Sequence, residues 1–84
     1  TLSNDGHLYS NGHMVINDFV FDGTYTYYAQ ADGTPMTNRL TYHPDGVHII
    51  YFDKNGHEVF NAFQYCSSVG YNCYFDSQGY LYKD

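Results

Sequence analysis

The chain is 84 residues long, and its three lysines and arginines stand against nine acids for a formal net charge of −6 at pH 7. Arg39, Lys54 and Lys83 are scattered, so no basic cluster exists to neutralise phosphates. Nucleic acid is excluded as a partner, and anionic lipid is disfavoured on the same ground. No apolar run approaches the roughly 20 residues that a membrane-spanning helix needs, and no signal peptide is evident. The expectation is a piece of a larger exported protein, extracellular or attached to the cell surface, with no membrane insertion.

Taken in order, the chain repeats one pattern. Leu8-Tyr9-Ser10-Asn11-Gly12-His13 opens a fragment of it that runs to Asn17. Phe19, Val20 and Phe21 then alternate as a short strand before Asp22-Gly23, a turn composition. Tyr27-Tyr28 leads into a turn at Gly33 and onward to Asn38, and Leu40, Thr41 and Tyr42 repeat the strand. Pro44-Asp45-Gly46 marks the next turn, after which Tyr51-Phe52-Asp53-Lys54-Asn55-Gly56 and Asn61 repeat the phrase again. Phe63, Gln64 and Tyr65 precede the loop Ser67-Ser68-Val69-Gly70, and Tyr74-Phe75-Asp76-Ser77-Gln78-Gly79 closes the series. Gly12, Gly33, Gly56 and Gly79 lie 21, 23 and 23 residues apart, a spacing typical of repeat architectures.

The fold class expected is all-β: a single small domain, residues 1–84, of about four stacked β-hairpins in a β-solenoid-like array. The units run approximately over 1–23, 24–46, 47–70 and 71–84. Eighty-four residues is close to the size at which one core barely suffices. Stacking relieves that limit, because each unit buries the face of its neighbour. Eleven tyrosines and six phenylalanines, with no tryptophan, are the filler. A tyrosine can bury its ring in a thin layer while its hydroxyl reaches water.

The cysteines Cys66 and Cys73 lie at the ends of the loop 67–72. If Tyr65 pairs with Tyr74, they face each other across one hairpin and can form a disulfide; otherwise they are two small buried thiols. The same register puts Phe63, Tyr65 and Tyr74 on one face, together with Leu40, Tyr42, Ile49 and Tyr51 and with Phe19, Phe21, Tyr25 and Tyr27, which is expected to be the core. Gln64, Cys66, Cys73 and Phe75 share the half-polar face with Thr41, His43, His48, Ile50 and Phe52 and with Val20, Thr26 and Tyr28. Tyr28, Phe52 and Phe75 thus form a row with one ring per copy, suited to stacking against the C–H face of a sugar. Tyr42, Asn38 and Asn61 supply hydrogen-bonding groups beside it. Packing between repeats is the alternative use of those rings.

His43 and His48 fall on one face around Asp45, but no third ligand stands with them, so no metal site is expected. The Asp-rich turns lack the alternation and distal glutamate of a calcium loop, and their carboxylates are read as acceptors of turn N–H groups. No carboxylate pair is placed in a cleft and no nucleophile has a base beside it. The expectation is that the chain is no enzyme and carries no cofactor.

The phrase aromatic-aromatic-x-x-x-Gly-x-x-(Met/Val)-x-x-Asn, as in Tyr51-Phe52-Asp53-Lys54-Asn55-Gly56-His57-Glu58-Val59-Phe60-Asn61, resembles the cell-wall-binding, or glucan-binding, repeats of exported Gram-positive bacterial proteins. That superfamily includes choline-binding proteins, glucansucrases and large clostridial toxins, and the resemblance covers nearly the whole chain. It implies stacked hairpins, a non-catalytic targeting module, ligands held between adjacent hairpins, and a polysaccharide partner (a glucan or cell-wall glycan) beside neighbouring repeats or a catalytic domain in the same chain. Choline-binding members place a tryptophan just before the aromatic pair, where this chain has Thr26, Ile50 and Cys73. That departure argues against choline and for weak, multivalent binding of a neutral glycan. A structural spacer, a protein-recognition region or an auxiliary domain of a glycoside-active enzyme are the alternatives.

Overall fold

A computed structural model describes residues 3–82. Among the described residues there is no helix, and eight strands form four separate antiparallel hairpins: β1 Tyr9–Ser10 with β2 His13–Met14, β3 Asp18–Phe21 with β4 Thr26–Ala29, β5 Arg39–Tyr42 with β6 Ile49–Phe52, and β7 Ala62–Cys66 with β8 Tyr71–Phe75. The body is 42 Å long and 22 Å across in both other directions, an elongated stack rather than a sphere.

The repeat is closed by a turn and a corner. In each turn the glycine N–H bonds back to the residue three before it, and that residue's own N–H bonds to the carbonyl just after the glycine. The pairs are Gly6 to Ser3, Gly33 to Gln30, Gly56 to Asp53 and Gly79 to Asp76. These glycines have φ between +81 and +86°, a conformation that other residues adopt only at a cost. Asp53 Oδ1 and Asp76 Oδ1 each accept two N–H groups of their turns, as expected of the aspartates. The first member of the series is therefore Gly6. Gly12 belongs instead to a tight Asn11-Gly12 turn with φ of +52 and +81° that joins β1 to β2.

The corner is the asparagine. Asn17, Asn38 and Asn61 have φ of +52, +49 and +51°, the left-handed region that asparagine tolerates better than other side-chain-bearing residues. Their N–H groups extend the hairpins by bonding to Gln30, Asp53 and Asp76 carbonyls. The strand pairs Asp18–Phe21/Thr26–Ala29, Arg39–Tyr42/Ile49–Phe52 and Ala62–Cys66/Tyr71–Phe75 straddle residues 23/24, 46/47 and 70/71, where the sequence reading had placed unit boundaries. The turns at those points close hairpins rather than separate them.

After each turn glycine a short arm folds back. Val59 N–H bonds to Tyr51 O of its own hairpin at 3.0 Å, while Glu58 N–H reaches Thr26 O of the preceding hairpin at 2.8 Å; Tyr82 and Leu81 repeat this with Tyr74 and Ile49. Stacked rings reinforce the junctions. Tyr25 lies on His57 with centroids 3.6 Å apart and His48 on Tyr80 at 3.8 Å, both nearly parallel.

The register corrects the expected faces. Phe63 pairs with Tyr74, Tyr65 with Asn72 and Cys66 with Tyr71, two residues away from a Tyr65–Tyr74 pairing. The shift keeps parity, so the side chains of this hairpin stay on the expected faces, but burial does not follow those faces: Tyr27 and Tyr51 are buried as expected of the core, and the row read as half-polar is buried as well. Ala29, Phe52 and Phe75, each four residues before its turn glycine, are 0% exposed. Ile50, Cys66 and Cys73 are buried beside them, whereas Phe63 is 73% and Tyr42 65% exposed. In the second hairpin Phe19 pairs with Tyr28 and Val20 with Tyr27, which moves Tyr28 to the outward face. The cysteines are free and buried. The shifted register sets them diagonally across the hairpin, where the two thiols still neighbour each other in one buried cluster.

Candidate functional site

Between the second and third hairpins the stack leaves a cleft of about 250 Å³. Tyr28 of β4 and Met36 of the following arm form one wall. Thr41 and Tyr42 of β5 and Pro44 of the tip turn form the other, with Ile50 and Phe52 of β6 as the floor. None of these side chains is charged. Met36 is held in place by its N–H, which bonds to Tyr28 O at 2.9 Å.

The aromatic walls are fixed from behind. Phe19, paired with Tyr28 across the hairpin, meets it edge-on at 5.0 Å and lies 6.5 Å from Phe52, while Tyr28 and Phe52 are 6.4 Å apart. His43 then stacks on Phe19 at 5.3 Å. At the hairpin tip, Asp45 Oδ1 accepts the N–H groups of Val47 and His48, and Asp45 Oδ2 lies 2.6 Å from His48 Nδ1. The His48 ring and these N–H groups hold the Asp45 carboxyl well below the usual carboxylate range.

Of the residues expected to bind ligand, Tyr28, Tyr42 and Phe52 come together here. Phe75 does not join them. It is sealed in a cluster with Tyr51, Cys66 and Cys73, and a ring with no exposed face cannot stack on a sugar. Phe52 has moved from a platform to a floor for the same reason. Asn38 and Asn61 are corners whose left-handed backbone explains the residue type. Sequence reasoning missed Met36, Thr41, Pro44, Ile50 and the supporting Phe19. The signal for Phe19 was its place two residues after Asn17, where Leu40 and Phe63 also stand. Among the described residues no cluster of three metal-ligating side chains is suitably placed for a metal ion.

No family model matches the chain, and no curated protein matches it. Solved structures do. The choline-binding domain of CbpL from Streptococcus pneumoniae superimposes with a TM-score of 0.78 at 22% identity, over 95% of this chain and 42% of that one. The endolysin of phage Cp-1 complexed with choline gives 0.73 at 20%, over 87% and 20%. Alternansucrase in complex with isomaltotriose gives 0.70 at 28%, over 87% and 7%. The chain carries the fold of the cell-wall-binding, or glucan-binding, hairpin repeats. It spans less than half the length of each of these similar structures. Within this hairpin-repeat fold the cleft lies at the junction of successive units.

Proposed function

We propose that the chain is a non-catalytic carbohydrate-binding module that tethers a larger exported protein of a Gram-positive bacterium to a glucan or cell-wall glycan. The observation that carries this reading is the uncharged cleft walled by Tyr28 and Tyr42 over Phe52. A neutral sugar presents a C–H face to such rings and hydroxyls to the phenols and to Thr41, and no buried charge has to be desolvated. One shallow cleft binds weakly, so useful retention requires several engaged at once along an array. The similarity to alternansucrase in complex with isomaltotriose supports the reading.

A second reading has its own observation. Tyr28, Tyr42 and Phe52 converge with Met36 on one uncharged space in an acidic protein, a setting in which a quaternary ammonium is attracted to ring faces. Titration with isomaltotriose and with choline, read through tyrosine ring resonances, separates the two. Tyr42→Ala should weaken binding about tenfold, equivalent to about 1.4 kcal/mol, while leaving the fold intact because Tyr42 is largely exposed. Phe63→Ala, at an exposed ring outside the cleft, should change nothing. Equal losses in both variants, or no response of the cleft tyrosines to either ligand, would reject the site.

A further inference from the structure

The tip of the third hairpin holds two histidines around one aspartate, and their hydrogen bonds assign opposite protonation to the two rings. The backbone N–H of Asp45 points at His43 Nδ1 at 3.1 Å. A backbone N–H can only donate, so His43 Nδ1 is the lone-pair nitrogen and the neutral ring carries its proton on Nε2. His48 Nδ1 lies 2.6 Å from Asp45 Oδ2, and because an ionised carboxylate can only accept, that nitrogen bears a proton. Protonating His48 leaves its bond to Asp45 in place. Protonating His43 sets a new N–H against the Asp45 N–H.

From this we infer that His43 is a positioning residue for the cleft and that its protonation loosens the cleft wall. His43 lies next to Pro44, which lines the cleft, and stacks on Phe19, which supports Tyr28. The titratable groups around it are Asp45 and His48 of its own hairpin and Tyr80 of the following turn, edge-on at 5.7 Å; Phe19 is the neighbour from β3. Asp45 Oδ2, 3.5 Å from His43 Nδ1, is an acceptor a new proton can turn toward, and turning toward it gives up the Asp45 N–H bond. The tip loses that fixed bond and the ring shifts against Phe19, so ligand affinity falls once His43 takes up a proton.

The inference rests on the proposed ligand cleft, but its structural half is testable without ligand. In the free protein, lowering pH from about 7.5 to about 5.5 should shift the Asp45 amide and the Tyr28 ring resonances in step with the His43 ring. His43→Asn, whose side-chain oxygen can accept the same N–H without titrating, should keep the Asp45 amide in place and flatten both profiles. His48→Asn should leave the response. With isomaltotriose or choline as probe, the natural chain should bind roughly two- to tenfold more weakly at the lower pH, the size of one hydrogen bond, and His43→Asn should not. A His43 titration that leaves Asp45 and Tyr28 unmoved overturns the inference, as does an unchanged pH profile in His43→Asn. Coupled shifts without binding of either probe support the positioning role and reject the ligand reading instead.

Discussion

Replacing Gly79 with alanine measures the contact between one turn and the arm before it. Three glycines, Gly12, Gly70 and Gly79, share a φ of +81 to +82°, so the backbone cost of a Cβ is common to all and amounts to about 1–2 kcal/mol. At Gly12 and Gly70 nothing lies within 4 Å of the added atom, whereas at Gly79 it would sit 2.5 Å from Glu58 Oε2 and 2.9 Å from Phe60 Cε1. Glu58 and Phe60 must give way, which adds about 1–3 kcal/mol by overpacking. In a domain of this size each kcal/mol lowers Tm by about 4–8 °C. Gly79→Ala should therefore melt about 4–24 °C below Gly70→Ala in the same scan, and Gly12→Ala should match Gly70→Ala. Equal melting points for Gly70→Ala and Gly79→Ala would mean that the Asp76–Tyr80 turn does not abut the arm of the third unit, and the stacked order would be wrong.

Three further outcomes follow from individual side chains. Burial pushes the Glu58 carboxyl up to about 7, so the fold favours its protonated form: the stabilisation is complete below about 4.5, the ordinary value, and is lost as pH rises through about 7. Glu58→Gln should flatten this fall and melt higher than the natural chain at pH about 8, by about 1 kcal/mol once the group's partial exposure is discounted. Asn61→Gly should be tolerated and Asn61→Val should cost about 1–2 kcal/mol in urea unfolding, with ligand affinity per folded molecule unchanged if the asparagine is only a corner. Burial, reinforced by the neighbouring Cys73, pushes the Cys66 thiol up to about 12. Alkylation of Cys66 by iodoacetamide at pH 8, followed by peptide mapping, should accordingly run about a thousandfold slower in the folded chain than after unfolding, because the thiolate is the reacting species.

The number of hairpins and their stacking were legible because a periodic series of turn glycines reports backbone conformation directly. A turn that needs positive φ leaves its mark in the residue type, whatever surrounds it. The faces were not legible in the same way. Tyr27-Tyr28 matches Tyr51-Phe52 by eye, yet counting four residues back from the turn glycine puts Ala29, not Tyr28, level with Phe52 and Phe75. One residue of misalignment exchanges inside for outside in a strand. In a chain where 20% of residues are aromatic, rings stand on both faces, and alternation cannot say which set is covered. The asparagines were credited with sugar contacts because an amide suits a hydroxyl, while the backbone had already claimed the position.

The same alignment explains why a cleft opens at one junction and closes at the next. Moving each cleft residue 23 positions along the chain turns Tyr28, Met36, Ile50 and Phe52 into Tyr51, Val59, Cys73 and Phe75. There the flexible Met36 gives way to a short β-branched valine and Ile50 to a smaller cysteine, which frees room beneath the tyrosine. Tyr51 drops into it, is buried, and rests 6.1 Å from Phe75 in a cluster with Cys66, Cys73, Leu40, Val59 and Leu81. Tyr28 has no such space, since Ile50 fills the floor and Phe19, backed by His43, stands behind it at 5.0 Å. His43 and Cys66 occupy the matching place in the two hairpins. An imidazole there props a ring outward, and a thiol lets the core close over it. Similar hairpin units thus yield an open cleft at one junction and a filled core at the equivalent place in the next, with the difference set by side-chain volume at a few positions.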